Sequence, residues 1–100
     1  MEIYTMGPSN VLAVADASVG FATEDLKPTT GRFQGMEVAI AEIYAVGALY
    51  KEYNGVAATT NGIPMAAGDS FVVEGYENIK GLRFIRNTST TSIIWAPGYR

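Results

Sequence analysis

The chain has no cysteine and no histidine among its 100 residues. Without cysteine it can form no disulfide and has no thiolate nucleophile. Without cysteine and histidine it lacks the ligands of a zinc finger, and without histidine it lacks the base of a Ser-His-Asp triad. These two absences exclude much of the chemistry that small domains perform, and the lack of cysteine fits any redox compartment.

Charged residues are also few, at 17% of the chain against about 25% in a typical domain, and the formal net charge is −3. Nucleic-acid binding needs a concentrated basic footprint. Lys80, Arg83 and Arg86 form the only local basic cluster, and alternation along a strand would place the two arginines on opposite faces. We therefore expect no nucleic-acid partner. A surface this poor in charge favours association, because each buried charge would need a partner.

Long hydrophobic runs are missing as well. No apolar run approaches the ~20 residues that a helix needs to cross a bilayer. The first eight residues have neither the basic start nor the apolar stretch of a signal peptide. We expect no membrane partner and no leader, and a length of 100 residues predicts a single domain.

What the sequence does contain is a regular alternation of short apolar runs and turn pairs. Asn54-Gly55, Asn61-Gly62 and Gly68-Asp69 are pairs of this kind, typical of a meander of β-strands. The pattern predicts an all-β fold, a compact antiparallel β-sandwich or a jelly-roll-like small barrel with seven to eight short strands. Strands are expected at residues 11–14, 18–21 (weakly), 48–53, 62–65, 70–74, 82–86 and 91–96, with a polar loop at 23–31 and a strand start at 32–34.

Residues 36–46 are ambiguous between strand and helix. As a strand, Met36, Val38 and Ile40 share one face, and the phase then slips at Glu42, which a bulge could absorb. As a helix, residues 36, 40, 43 and 44 fall on one face, and four alanines between 39 and 48 favour this reading. The neighbouring strands favour the bulged strand, because one long helix would need a sheet face to cover.

Residues 1–10 end in a turn, Gly7-Pro8-Ser9-Asn10, and are interpreted as an arm that precedes the β domain at 11–100. One possibility is a frayed terminus. The other is an arm that lies on a neighbouring subunit, since Ile3, Tyr4 and Met6 are apolar and gain from burial.

No group of acidic residues has the spacing of a reaction centre. A paired-carboxylate hydrolase needs two acids held a few ångströms apart in a cleft, and no spacing here enforces that. We therefore expect no enzyme and no cofactor. A Ca²⁺ site among Glu74, Glu77 and Asn78 is conceivable, but a solvated loop is favoured and no metal ligand is assigned. Asp69, after Gly68, is expected to cap its own turn through its side chain.

The aromatic residues, six tyrosines and one tryptophan, carry the most information about partners. In the expected C-terminal hairpin, Ile93 and Trp95 face one way and Ile94 and Ala96 the other. Either one set forms the core and the other lies singly at the surface, or another subunit buries the second face. A third possibility is a sugar-stacking platform built from Trp95, Tyr99 or Tyr76, although no polar cluster supports it.

The chain from Gly47 onwards resembles small virion proteins of tailed bacteriophages and prophages. The resemblance covers half to two thirds of the sequence, is carried by turn and strand residues, and fits the first half more loosely. Its elements here are Tyr50-Lys-Glu-Tyr-Asn-Gly55, Thr59-Thr60, Gly62-Ile-Pro64, Gly68-Asp69, Phe71-Val-Val73, Gly75, Leu82-Arg-Phe-Ile-Arg86 and Ile93-Ile-Trp95.

The resemblance implies a structural role without catalytic residues. The expected protein binds the capsid exterior as a decoration or cement subunit, forms a homo-oligomer with a trimer favoured, and has the major capsid protein or another virion protein as its partner. Its location would be the virion, after assembly in the host cytoplasm. A carbohydrate-binding head-fibre or tail-fibre module is the alternative. The candidate interface residues are Trp95, Ile85 and Tyr99, followed by Ile3 and Tyr4 of the arm.

Overall fold

The computed structural model describes residues 3–100 as eight β-strands and two short helices. All strand pairs are antiparallel and belong to two sheets, which confirms the predicted all-β fold and its compact sandwich form. Neither helix in this part of the chain is long and apolar enough to span a membrane. The elements are β1 Thr5–Met6, β2 Asn10–Val14, α1 Thr23–Leu26, β3 Ile40–Ala45, β4 Leu49–Glu52, β5 Ile63–Met65, β6 Ser70–Glu74, α2 Tyr76–Lys80, β7 Arg83–Arg86 and β8 Thr91–Tyr99.

The larger sheet is built around β8, the longest strand. β3 pairs with one side of β8, and β1 and β2 pair in succession with the other side. β6 pairs with the far side of β3, so that β2 and β6 form opposite edges of the sheet. The register places Ile94 between Val11 and Tyr44, and Glu42 between Ala96 and Val72.

The smaller sheet has the strand order β5-β4-β7. Pro64 lies on the edge strand β5, where its missing N–H costs no ladder hydrogen bond. The weak strand expected at residues 18–21 is reduced to one bridge, in which Val19 and Phe84 exchange backbone hydrogen bonds of 2.9 and 2.8 Å.

The core lies between the two sheets. Ile43, Ile93 and Trp95 enter it from the larger sheet, and Leu49 and Phe84 enter it from the smaller sheet. The ring of Phe21 links the two layers, 4.4 Å from the Trp95 ring and 5.9 Å from the Phe84 ring between centroids. Each large apolar side chain buried here stabilises the fold by about 1.5–3 kcal/mol relative to exposure.

Residues 40–45 form a strand, as favoured, and not a helix. The bulge expected at Glu42 is wrong, because pairing with both neighbouring strands continues without interruption from Ile40 to Ala45. The change of phase occurs earlier, between the buried residues Val38 and Ala41. There the N–H of Ala39 already donates to the carbonyl of Gly98 at 2.8 Å, just ahead of the first paired residue of β3.

The last two strands do not form the expected hairpin. β7 belongs to the smaller sheet and β8 to the larger one, so the connection at residues 87–90 passes from one layer to the other. β8 also continues beyond residue 96, through Pro97 to Tyr99. Pro97 takes part through its carbonyl, which accepts a 2.8 Å hydrogen bond from the N–H of Gly7.

Three further segments differ from expectation. The polar loop contains helix α1, because Leu26 is fully buried and its carbonyl accepts the N–H of Val38 at 2.9 Å. Residues 32–34 lie in a turn instead of a strand, between Gly31 and Gly35, whose φ angles of 84° and 78° suit glycine. The connection at 75–80 contains helix α2.

The arm is partly built into the larger sheet. β1 pairs with the end of β8 in the same chain, and Asn10 already belongs to β2. Pairing along β8 continues through Gly7, whose N–H donates to the carbonyl of Pro97, and is interrupted at Pro8 and Ser9 before β2 begins. Residues 1 and 2 lie outside the described part of the chain, and the contact of the arm with a neighbouring subunit stays a prediction.

Candidate interaction surface

The face of the larger sheet that points away from the core is mostly apolar. Side chains alternate between the two faces of a strand, so directly opposed residues share a face. Four rows cross this outer face: Ala13 and Ser92; Val11, Ile94, Tyr44 and Ser70; Ala96, Glu42 and Val72; and Met6, Gly98, Ile40 and Glu74.

Four large side chains in the centre of the outer face are exposed. We call Val11, Tyr44, Val72 and Ile94 the outer patch; their exposed fractions are 71%, 44%, 58% and 38%. Single exposed apolar residues are common on soluble domains, but adjacent ones on a flat sheet form a contiguous surface. The outer patch is therefore the strongest candidate contact surface among residues 3–100.

The outer face carries charge of one sign. The five strands of the larger sheet contain Glu42 and Glu74 and no lysine or arginine. The strands of the smaller sheet contain Lys51, Arg83 and Arg86 with one acid. A partner surface suited to the outer face is consequently apolar, with cations placed near the two glutamates.

One end of the outer face is closed by the N-terminal segment. A side chain at Gly98 would clash with Cγ2 of Ile40 and lie 2.8 Å from Sδ of Met6, so these two side chains pack over the glycine. The Tyr4 hydroxyl donates a 3.0 Å hydrogen bond to Oε1 of Glu74. The guanidinium of Arg100 lies 5.9 Å from the Tyr4 ring centroid. These contacts hold residues 4–6 across the sheet.

Two of the predicted interface residues lie in the core. Trp95 and Tyr99 are only 2% and 3% exposed, since they point between the sheets and not outward. The ring of Phe33 stacks on Tyr99 at 4.1 Å, and Phe21 covers Trp95. In this conformation neither residue can offer a contact surface, because the chain's own rings already occupy their faces.

The other three predicted residues are accessible but do not form one surface. Ile3 is 83% exposed, and Tyr4 is half-buried at the end of the outer face. Ile85 is half-buried on the smaller sheet, opposite Tyr50. Only the arm residues therefore lie next to the outer face.

The carboxylates of Asp69 and Glu74 form hydrogen bonds within the chain. Asp69 caps its turn as expected, with Oδ2 accepting the N–H of Ala66 at 2.8 Å. In the segment considered for Ca²⁺, where the sequence favours a solvated loop, the Asn78 amide donates to the backbone carbonyl of Glu74 at 3.0 Å. No group of three or more acidic side chains within residues 3–100 is placed to hold a metal ion.

Burial, and secondly the charge of Asp25, raise the pKa of Tyr99 above its usual value.

The sequence placed Ile94 on one of the two apolar faces of the last strand. It did not identify Val11, Tyr44 and Val72 as neighbours of Ile94 on that face. The signal was present in each strand as apolar residues at alternate positions. What the sequence lacked was the register that places these residues side by side, since they come from β2, β3 and β6.

Comparisons of the chain with models of protein families, with curated proteins and with solved structures found no match.

Proposed function

We propose that this protein is a structural subunit of a bacteriophage virion, which binds the capsid exterior as a decoration or cement protein. The outer patch is the observation that supports the proposal. A sheet face with four adjacent exposed apolar residues and no cation in its strands is suited to burial against another protein. The resemblance of the second half of the sequence to phage virion proteins supplies the kind of partner.

The proposed mechanism is stabilisation by linkage. A subunit that binds only the assembled capsid lowers the free energy of that state and so raises particle stability. The proposed mechanism requires only the burial of apolar area. It includes no covalent step and needs no catalytic residue. The major capsid protein is the proposed partner, and a symmetric homo-oligomer, a trimer in the favoured form, would present several outer patches at once.

The alternative of a carbohydrate-binding fibre module receives less support. Two of its three proposed stacking residues, Trp95 and Tyr99, are buried. The third, Tyr76, is half-buried at a small cleft of about 370 Å³ that Arg100 also lines. One half-buried ring is a small platform for a sugar, so the virion subunit remains the preferred function.

Purified virions of the source phage provide the first test. Mass spectrometry should find the chain in the particles, and electron microscopy should locate it on the capsid exterior. Absence from particles, together with a strong hit on a glycan array, would replace the proposal with the fibre module.

Variants of the outer patch test the contact surface. Ile94→Ser and Tyr44→Ser should weaken binding to particles about 30-fold or more each if they are central anchors, since hot-spot truncations cost about 2 kcal/mol or more. Ile63→Ser is the matched control, because Ile63 is exposed to 44% on the smaller sheet. Equal binding by all three variants would show that the outer patch is not the contact.

A further inference from the structure

The outer edge of β6 has unpaired backbone groups. The N–H of Ala45 donates to the carbonyl of Asp69 at 2.9 Å, and the N–H of Gly75 donates to the carbonyl of Ala39 at 2.8 Å. In an antiparallel ladder these bonds alternate, so odd-numbered residues of β6 bond to β3. The N–H and C=O groups of Ser70 and Val72 therefore point away from β3, and no residue within 3–100 pairs with them.

Apart from the charged residue Glu74 at its end, this edge strand has none of the usual protection against strand addition. Proteins block exposed edges with proline, lysine, bulges or a covering segment. β6 reads Ser-Phe-Val-Val-Glu and pairs with β3 without a bulge. By contrast, the edge strand β5 of the smaller sheet carries Pro64. The opposite edge of the larger sheet, β2, also lacks proline and lysine. A free edge is a site where another strand can pair, and the cleft beside β6 distinguishes this edge.

A cleft of about 730 Å³ lies beside the second half of β6, at residues 72–74. Val72 and Val73 both line it, although their side chains point to opposite faces of the sheet, so the cleft follows the edge of the strand. Its volume lies within the range of about 300–1,000 Å³ found for ligand sites. Charged residues of both signs also line it, namely Glu74, Glu77, Lys80 and Arg83.

We propose that this cleft binds an extended peptide segment of another protein, which adds to β6 as an antiparallel strand. Recognition of this kind takes affinity from main-chain hydrogen bonds and specificity from alternate side chains. The segment would form paired hydrogen bonds with Val72 and Ser70. It would end near Glu74, whose carbonyl is already occupied by the Asn78 amide.

Charge and polarity define the segment. Its residue opposite Val72 would extend the apolar outer patch and is therefore an aliphatic residue. Its residue opposite Glu74 is a lysine or arginine, which would pair with the Glu74 carboxylate beside the Tyr4 hydroxyl that donates to it. The proposed ligand thus carries a cation two residues before an aliphatic residue.

A peptide fits this edge better than a second copy of the chain. Five paired residues extend over only about 17 Å, which gives too little contact for the roughly 800 Å² per partner of a stable protein interface. A peptide instead contacts the strand edge and the cleft walls together. Pairing of two β6 edges is the competing outcome of the tests below.

The first test uses a synthetic probe, the acetylated and amidated peptide Arg-Thr-Val-Thr-Thr. In the antiparallel register its arginine lies opposite Glu74 and its valine opposite Val72. Titration followed by NMR should give a Kd of about 1 mM or lower, with slower amide exchange at Ser70 and Val72. N-methylation of the peptide valine should abolish binding, because that N–H points at β6. N-methylation of the next threonine, whose N–H points away, should leave binding within about twofold.

The second test changes the protein. Val72→Pro removes the outward N–H of β6, which edge strands tolerate, and should weaken peptide binding about tenfold or more. Val11→Pro is the matched control, since Val11 is an exposed valine on the opposite edge strand β2. The pairing of Leu12 with Ile93 leaves the Val11 N–H outward, and this variant should bind the peptide as the wild type does.

The outcomes separate the possibilities. No binding by the unmethylated peptide, or equal loss with either N-methyl peptide, overturns the proposal. Wild-type dimers in sedimentation that Val72→Pro abolishes would assign the edge to a second copy instead. Variants at Ile94 and Tyr44 leave the edge groups intact, so peptide binding should survive them. A failure of capsid binding and a failure of peptide binding are therefore distinguishable.

Discussion

The two faces of β8 are both apolar, yet they have opposite environments. Trp95 is 2% exposed and packs against Phe21, whereas its chain neighbour Ile94 is 38% exposed on the outer face. The inner face is covered by the smaller sheet and both helices. Within residues 3–100, only the N-terminal segment crosses the outer face, and it covers one end.

This difference shows that hydrophobicity alone does not mark the core of a small sheet protein. One buried face suffices for a two-layer fold, and the second face of an antiparallel sheet is usually polar. An apolar second face gives nothing to the stability of the isolated chain and raises the risk of aggregation. Its presence is therefore evidence about partners, and the comparison can be tested by changing one face at a time.

The largest effect is expected from truncating the inner face. Trp95→Ala should lower the free energy of unfolding by about 3–5 kcal/mol, because it removes a buried aromatic and leaves a cavity. Ile94→Ala, on the next residue, should change it by no more than about 0.5 kcal/mol. Urea unfolding of the two variants measures both values. Comparable losses would mean that the outer face is also packed in solution.

The closed end of the outer face should behave as an exception. Gly98→Ala would place a methyl group against Ile40 and Met6, and overpacking of this kind costs about 1–3 kcal/mol. Ile40→Ala in the same chain removes the clashing group and should recover part of the loss. If Gly98→Ala is as stable as the wild type, residues 4–6 do not lie on the sheet in solution.

Local features of the fold could be predicted from the sequence. Turn chemistry located the strands expected at 11–14, 70–74 and 82–86, because glycine, asparagine and aspartate have distinct backbone preferences. The Gly68-Asp69 turn formed with the expected side-chain cap. The proline at position 64 correctly indicated an edge strand. Each of these depends on residues that are close in sequence.

Features that depend on distant residues could not be predicted. The expected pairing of β7 with β8 was wrong because a short connection is compatible with either a hairpin or a change of sheet. The burial of Leu26 depends on packing with residues far along the chain, including Ile79 in the same core. The polar composition of residues 23–31 therefore predicted a loop, whereas the structure has helix α1 in this segment.

The candidate site could not be predicted either, because it too depends on residues that are distant in sequence. The sequence showed that β8 has two apolar faces but not which one the smaller sheet covers. Large aromatic side chains were chosen as anchors, and size also favours burial in the core, where Trp95 and Tyr99 lie. The outer patch became visible only when the register placed Val11, Ile94 and Tyr44 in one row.

Self-association provides a smaller test of the outer face. The isolated protein is expected to associate at micromolar concentration, in view of its 48% apolar and 17% charged composition. Ile94→Ser should then weaken association about tenfold, which corresponds to about 1.4 kcal/mol. Sedimentation at several concentrations measures it, with Ile63→Ser as the control. A monomer without concentration dependence would leave only binding to another protein.

The smallest effect is expected from the ionisation of Tyr99 on the inner face. Burial, and secondly Asp25, raise its pKa in the folded chain above the ordinary value of 10.0. The unfolded chain therefore loses this proton first as the pH rises, and the unfolded state gains stability relative to the folded state. The stability that Tyr99 contributes is fully present below about pH 10 and is lost as the pH rises through the folded pKa.

Urea unfolding between about pH 8 and pH 11 should show this decline in the free energy of unfolding. Tyr99→Phe should flatten it and Asp25→Asn should reduce it slightly, whereas Tyr44→Phe on the outer face retains Tyr99 and should keep it. If the free energy of unfolding of Tyr99→Phe declined equally steeply with pH, groups other than Tyr99 would cause the pH dependence.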